Sequence, residues 1–174
     1  MVSEGARRVI GIDPGLAATG YGIIEGDARS AEVIAYGAIR TRTRWTRAER
    51  LHHIHQQVGA LIEEHRPHEL AIEEPYVAKN VRSALAIGEA RAAVQIAAAG
   101  HDTPVFEYPP ATIKASVAGH GGAPKEQLQA MVALQLGLSE APQPLDASDA
   151  LAIALTRLAE VGFEERLAGS GSRP

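Results

Sequence analysis

Four carboxylates in this sequence stand where a predicted strand ends or a predicted helix begins: Asp13, Glu73, Asp146 and Asp149. Asp13 closes the apolar run RRVIGID and is held extended by the proline after it, and Glu73 closes the run ELAIE. Asp146 and Asp149 are spaced i and i+3, which places both on one face of a helix. Each has a purely structural alternative, because an aspartate before Pro-Gly often caps a turn and an aspartate pair often caps a helix.

A shared site for these carboxylates would have to bind cations. Two unit charges about 5 Å apart repel by about 3 kcal/mol at an effective dielectric constant of about 20. Oxygen ligands alone favour Mg²⁺ or Mn²⁺ over zinc, and two such ions about 3.5–4 Å apart serve phosphodiester cleavage. Glu74 follows Glu73 directly and points to the opposite face of a strand. At most one of these two glutamates can therefore join the site, and the pattern does not decide which.

Hydrophobic periodicity predicts the elements that would bring these residues together. Three strand-like runs joined by short polar turns predict an antiparallel meander, and helices then alternate with short strands. This order predicts an α/β fold in which helices cover both faces of a mixed sheet. The predicted strands are 7–13, 20–25, 32–40, 69–73 and 104–107. The predicted helices are 45–64, 79–99, 110–118, 124–136 and 146–161.

Composition narrows the class of protein. The 174 residues fit one domain, and 45% hydrophobic residues supply enough apolar side chains for a core. The absence of cysteine excludes disulfides, cysteine-ligated zinc and iron–sulfur clusters. The net charge of −4 does not identify a nucleic-acid partner, although five arginines gather within residues 40–50. The chain has no signal peptide and no apolar stretch of about 18 residues, so we expect a soluble cytoplasmic protein.

Four segments together resemble the RuvC family of bacterial Holliday-junction endonucleases. They are VIGIDPGLAATGYGII (9–24), AIEEPYVAKNVRSALAIGEARAA (71–93), VFEYPPATIKASVAGHGGAPKEQL (105–128) and DASDALAIAL (146–155). The resemblance implies a ribonuclease H-like fold with a mixed five-stranded sheet, in a homodimer that nicks two opposing strands of a four-way DNA junction. We therefore expect a single nuclease domain over 7–165, between a flexible N-terminus (1–6) and a flexible tail (166–174).

The resemblance also implies roles for particular residues. It makes the four carboxylates named above the ligands of two Mg²⁺ or Mn²⁺ ions per site, with Glu73 rather than Glu74 among them. Lys114 and Lys125 match family lysines near the scissile phosphate and join the predicted catalytic set, as both catalytic and DNA-binding residues. Tyr76 matches an aromatic residue that stacks on a base at the opened junction.

Other basic residues are predicted to contact DNA: Arg42, Arg44, Lys79 and Arg82. For the arginines within 40–50, a solvated helix start is an equally good interpretation. The cluster of His52, His53 and His55 is interpreted as surface or core-edge histidines rather than as a metal site.

The helix over 79–99 carries small residues every four positions, which fits a close dimer contact, although periodicity alone favours a helix buried against the sheet. The members of this small-residue face are Ala84, Gly88, Ala92 and Ile96. The resemblance further implies the RuvA–RuvB branch-migration proteins as partners, in recombination and DNA repair.

Two other functions stay open at this point. A junction-binding protein that has lost cleavage would keep the fold. An ATPase of the actin and sugar-kinase superfamily shares the ribonuclease H-like core and an Asp-x-Gly loop after its first strand. That second alternative needs two such domains and a D-x-G-G motif, and this sequence has neither.

Overall fold

The computed structural model describes residues 6–27, 29–74 and 81–170. In these ranges the chain forms five strands and five helices. The strands are β1 (Arg7–Asp13), β2 (Ala18–Gly26), β3 (Ala31–Arg40), β4 (Glu69–Glu73) and β5 (Val105–Tyr108). The helices are α1 (Arg47–His65), α2 (Val81–Gly100), α3 (Pro110–Ala118), α4 (Lys125–Gln135) and α5 (Leu145–Ser170).

The strands form one mixed sheet in the order β3-β2-β1-β4-β5. The pairs β1–β2 and β2–β3 are antiparallel, whereas β4 is parallel to both β1 and β5. The predicted meander and the predicted five-stranded mixed sheet are both confirmed. Parallel neighbours need a long crossover connection, and α1 supplies it between β3 and β4, as α2 does between β4 and β5.

Helices cover both faces of the sheet, as predicted. On one face, Val9 and Ala71 are buried together with Leu151 of α5 and with residues of α3 and α4. On the other face, Ile10 and Ile72 are buried against α1 and α2. Because neighbouring residues of a strand point to opposite faces, β1 and β4 are apolar on both sides and read as continuous hydrophobic runs.

Glycines in β1 and β2 allow α5 to approach the sheet closely. A Cβ atom placed on Gly11 would lie 2.1 Å from the carbonyl oxygen of Ala150, and one on Gly20 would lie 2.0 Å from the carbonyl oxygen of Asp146. Both distances end on backbone atoms of the helix, which cannot rotate away. The absence of side chains on these strand positions therefore sets the height of α5 above the sheet.

The end of α5 differs from the prediction. The helix continues to Ser170, so the prediction that it ends near Val161 is wrong, and residues 166–170 of the predicted tail are helical. The extension contains good helix formers, and the guanidinium group of Arg157 binds Glu160 and Glu164 one and two turns further on. Although α5 has 26 residues, none of the helices in the described ranges is both long and apolar enough to cross a membrane.

Adding one methyl group at the sheet–helix contact tests how tightly α5 is seated. We expect Gly11→Ala to lower the free energy of unfolding by about 2–3 kcal/mol, because the new Cβ overlaps helix backbone. The matched control is Gly100→Ala, where an added Cβ meets no atom within 4 Å. Urea denaturation of both variants measures the difference, and equal stabilities would contradict the close contact.

Candidate active site

The pairing of β1 with β4 brings two of the predicted carboxylates side by side. The two strands are parallel, with Ile12 opposite Ile72, so the next residues along each strand are Asp13 and Glu73. Both belong to the alternating set that faces α5, as Gly11 and Ala71 do. Register therefore separates Glu73 from Glu74 on structural grounds, because Glu74 is one residue further along an alternating strand.

The first turns of α5 add the aspartates. Asp149 lines one pocket together with Asp13 and Glu73. Asp146 lies over Gly20, which is the β2 residue paired with Asp13, and its charge acts on Asp13. Asp146 is not among the residues that line the pocket. The structure thus brings three of the four predicted carboxylates to one cavity and places the fourth beside it.

Both predicted lysines line the same cavity, which has a volume of about 290 Å³. Lys114 comes from α3, and Lys125 is the first residue of α4. The Lys125 Nζ atom donates to Asp149 Oδ2 at 2.7 Å. Apolar side chains form the remaining wall: Pro110, Ile113, Leu128 and Ile153. The cavity is therefore a half-apolar pocket in which acidic and basic groups face each other.

Burial and mutual repulsion make negative charge costly in this pocket. Burial first, and then the charges of Asp149, Glu73 and Asp146, raise the pKa of Asp13 to about 7. The pKa of Glu73 is raised by burial and by Asp149, while Lys114 and Lys125 act in the opposite direction. The hydrogen bond to Asp149 raises the pKa of Lys125. The site therefore has a deficit of positive charge that the two lysines only partly offset.

A divalent cation would relieve this deficit, and the donors suit one. The acidic side chains offer only carboxylate oxygens, which is the set that Mg²⁺ and Mn²⁺ prefer. Within the described ranges, however, no three acidic or histidine side chains are arranged as a ready metal-binding group. The Lys125 ammonium group also binds one oxygen of Asp149 at 2.7 Å, so that oxygen would have to exchange partners to take up a cation.

The basic segment after β3 lies at the same edge of the sheet as Asp13. Thr41 fixes it there, because its N–H donates to Ala17 O at 3.0 Å and its hydroxyl donates to Leu16 O at 2.7 Å. Arg42 and Arg44 follow and are exposed. These two predicted DNA contacts therefore stand next to the turn that follows Asp13.

The other arginines of the 40–50 segment are engaged in different ways. Arg47 forms an ion pair with Glu89 of α2 at 3.2 Å, and Arg50 donates to the carbonyl oxygens of Thr43 and Trp45. Two of the histidines are partly buried and His52 is exposed, and His53 makes an edge contact with the Trp45 ring. They lie on α1 without the ligand grouping of a metal site in the described part of the chain.

Two predicted DNA contacts, Tyr76 and Lys79, lie outside the described residues. Arg82 is in the first turn of α2 and is exposed. On the same helix Ile96 is 62% exposed, so the predicted small-residue face looks away from the sheet. The helix is nevertheless buried against the sheet, as periodicity alone favoured, but through another face: Ala92 and Ile96 of the small-residue face are exposed, and Ala84 and Gly88 are partly buried. The buried residues of α2 are Ala90, Arg91, Ala93, Val94, Ala97 and Ala98.

Sequence reasoning missed one charged residue at this site. Arg91 of α2 is buried, and its Nη1 atom donates to the carbonyl oxygen of Glu73 at 2.6 Å. The available signal was its position, since an arginine in line with Ala90, Val94 and Ala98 interrupts an otherwise apolar helical face. The apolar pocket wall carried no such signal, because those residues have the pattern of any core.

Comparison with known proteins gives concordant matches. The profile of the family described as "Crossover junction endodeoxyribonuclease RuvC" matches residues 9–157. A Dehalococcoides mccartyi protein of that name is 45% identical over 156 residues, which are 90% of this chain and 93% of the relative. The structure of Thermus thermophilus RuvC in complex with a Holliday junction substrate has a TM-score of 0.87 and 36% identity, and covers 91% of this chain and 96% of its own.

The fold extends to a more distant protein. The yeast mitochondrial Holliday junction resolvase Ydc2 superposes with a TM-score of 0.67 at 13% identity, and covers 95% of this chain and 86% of its own. At this identity the likeness concerns the fold alone. It shows that the mixed sheet and its helices recur in that protein.

The pKa of Asp13 predicts an unusual dependence of stability on pH. Because the folded-state pKa of about 7 lies above the unfolded value of 3.8, this group stabilises the fold below pH 4 and that stability is lost as the pH rises to 7. In EDTA we expect Asp13→Asn to match the wild type near pH 4 and to be more stable at pH 8. The difference should be a few kcal/mol, at about 1.4 kcal/mol per pKa unit.

Urea denaturation between pH 4 and 8 measures this effect. Asp102→Asn is the matched control, because Asp102 is exposed on the turn after α2 and does not line the pocket. An Asp13→Asn protein that is less stable than the wild type at pH 8 would contradict the repulsion described above.

Proposed function

This chain belongs to the RuvC family of crossover junction endodeoxyribonucleases, and we propose that it resolves four-way DNA junctions by metal-dependent nicking of two opposing strands. One observation assigns the proposed activity to particular residues. Asp13, Glu73 and Asp149 come from three separate elements and line one cavity with two lysines. Such a meeting of acids at a sheet edge, against the repulsion between them, is expected of a cation site and not of turn or helix caps.

The carboxylates would hold the cations. Asp13, Glu73 and Asp149 are the residues that line the cavity, and Asp146 would contribute from beside it. Two Mg²⁺ or Mn²⁺ ions bound there would supply the Lewis acidity that activates a water molecule and stabilises the departing 3′ oxygen. The protein's part is to keep these acids close together in a desolvated place, where they bind a cation more strongly than separated carboxylates would.

The lysines would bind the phosphodiester. Lys114 and Lys125 face the carboxylates from α3 and α4, so a phosphate entering the cavity meets acids on one side and ammonium groups on the other. Lys125 is also the first residue of α4, where the helix dipole favours an anion. We infer that its ammonium group moves from Asp149 to the phosphate when cations and DNA bind.

Contacts beyond the cavity would select the junction. Arg42 and Arg44 are exposed beside the turn after Asp13, where they would bind phosphates flanking the cut. Arg82 would do the same from the start of α2. Tyr76 and Lys79, outside the described residues, stay predicted contacts to an unpaired base and to the backbone.

A homodimer would place two such sites on two strands. The outward face of α2 supports it, since Leu85 is 59% exposed and Ile96 is 62% exposed beside the small residues Gly88 and Ala92. A two-fold axis through this face would relate the two cuts by symmetry. Partnership with RuvA–RuvB and a cytoplasmic location remain predictions from the family.

Cleavage of a synthetic four-way DNA junction tests the function directly. We expect paired symmetric nicks with Mg²⁺ or Mn²⁺, no nicks in linear duplex DNA, and loss of nicking but not of junction binding in Asp13→Asn. Asp102→Asn should cleave like the wild type. Tight junction binding without nicks under either metal would instead identify a non-catalytic junction-binding protein, and ATP hydrolysis without junction binding would identify the actin and sugar-kinase class.

Removal of the Lys125 charge should have opposite effects on two measurements. We expect Lys125→Gln to bind Mn²⁺ more tightly in the absence of DNA, because a competing ammonium group and its repulsion are both lost. The same variant should cleave junctions at least about tenfold more slowly, because a charge on the phosphate is missing. Lys114→Gln, for comparison, should change Mn²⁺ binding less. Weaker Mn²⁺ binding by Lys125→Gln would contradict the exchange of partners proposed above.

A further inference from the structure

The buried side chain of Arg91 contacts the backbone of the candidate active site. Its side chain is 8% exposed and lies on the sheet-facing side of α2 among small apolar residues. The guanidinium group binds two acceptors at once: Nη1 donates to Glu73 O at 2.6 Å, and Nη2 donates to Glu107 Oε2 at 2.7 Å. A charge so poorly solvated is stable only when its partners are fixed.

Those partners are fixed by two further contacts. Glu107 is in β5, opposite Ile72 of β4, and its second oxygen accepts from Gln95 Nε2 at 2.5 Å. The N–H of Glu74 donates to Tyr108 O at 2.8 Å. The carbonyl of Glu73 and the N–H of Glu74 belong to the same peptide group, so this group is held at both of its polar atoms.

Fixing that peptide group fixes the glutamate before it. The direction of the Glu73 side chain follows from the backbone angles on either side of its Cα, and the peptide held by Arg91 and Tyr108 determines one of them. The pairing of β4 with β1 ends at Ile72, so β1 gives Glu73 no ladder partner, and only β5 pairs with it, through Tyr108. Arg91, which lies on the α2 side of the sheet, donates to the Glu73 carbonyl oxygen in place of a strand neighbour.

We propose that Arg91 is a positioning residue, which orients the Glu73 carboxylate for cation binding by anchoring the peptide group after it. The inference rests on the proposed function, since it assigns Glu73 to the cation site. The charge of Arg91 also acts on Glu73, where it lowers the pKa of the carboxyl group, but the proposed role depends on geometry. A lysine would keep the positive charge but, as a single flexible ammonium group, would not hold two acceptors at the angle of the planar guanidinium fork.

Arg91→Lys tests the proposal with a readout that does not require cleavage. We expect the concentration of MnCl₂ that half-maximally raises the melting temperature of the DNA-free protein to increase about tenfold, as for other residues that orient metal ligands. The rate of junction cleavage at fixed MnCl₂ should fall by a similar factor. Junction affinity in EDTA should stay within about twofold of the wild type, because Arg91 is buried away from DNA.

Arg157→Lys is the matched control. Arg157 is similarly buried, binds Glu69 through two hydrogen bonds of 2.7 and 3.2 Å, and so anchors the opposite end of β4 without lining the cavity itself. We expect it to lower the melting temperature without changing the MnCl₂ midpoint. A purely structural role for Arg91 would make the two variants behave alike.

The outcomes separate the inference from the function it rests on. Wild-type protein that cleaves no junction would overturn the proposed function, whereas cleaving wild type with an unchanged MnCl₂ midpoint in Arg91→Lys would overturn the positioning role alone. An equal midpoint shift in Arg157→Lys would also overturn it. If Arg91→Lys does not fold, the variant Glu107→Gln is measured instead. Glu107 is partly exposed, and the substitution removes the negative charge that binds Arg91. An increased MnCl₂ midpoint then supports the proposal, and an unchanged midpoint overturns it.

Discussion

The contact between α5 and the glycines of β1 and β2 is the constraint on which the site depends. Bare backbone at Gly11 and Gly20 lets the helix lie almost on the strands. Only at that height do the first turns of α5 bring Asp149 to the same cavity as the carboxylates at the ends of β1 and β4. The same helix packs against α3 and α4, which carry the two lysines, so one close contact places both signs of charge.

The clustering of carboxylates at the ends of β1 and β4 lowers the stability of the fold and creates a place for cations. Desolvation and repulsion act against Asp13 and Glu73 as charged groups, and a single ion pair between Lys125 and Asp149 offsets part of that cost. Other buried charges in the described part of the chain have close partners. Arg157, for instance, binds Glu69 and lies over the Phe106 ring at 3.5 Å. The contrast between a satisfied buried pair and an under-compensated acidic cavity is a physical mark of a binding site.

Most of the fold could be predicted because its signals are local. Short apolar runs closed by prolines and glycines define the five strands, and helical periodicity defines the helices to within a few residues. The end of α5 could not be placed, since residues beyond Val161 continue as helix through side-chain pairs and not through a buried face. Periodicity also could not say which face of α2 is covered, because Ala and Gly fit a core and an open surface equally well.

The site was less accessible to sequence reasoning alone. Asp13 and the aspartates of α5 each had a sound local explanation, and only the register of β1 against β4 separates Glu73 from its neighbour. The resemblance to a family identified the candidate site residues, and the structure shows how strand pairing and helix packing bring them together. No sequence motif predicts the contact of Arg91 with the carbonyl oxygen of Glu73, because a hydrogen bond to the main chain does not depend on the side chain of the residue that accepts it.

The parallel pairing of β1 with β4 has a consequence for synthesis of the protein. Asp13 and Glu73 are separated by α1 and two strands, and Asp149 is in α5, so these three carboxylates are joined by long segments of chain whose closure is entropically costly. A chain still on the ribosome, with α5 inside the exit tunnel, has β1 and β4 but lacks Asp149 at the cavity and the helix that packs against β1 and β2 on one face of the sheet. The order of residues along the chain thus keeps the three carboxylates from meeting before α5 has left the tunnel and packed on the sheet.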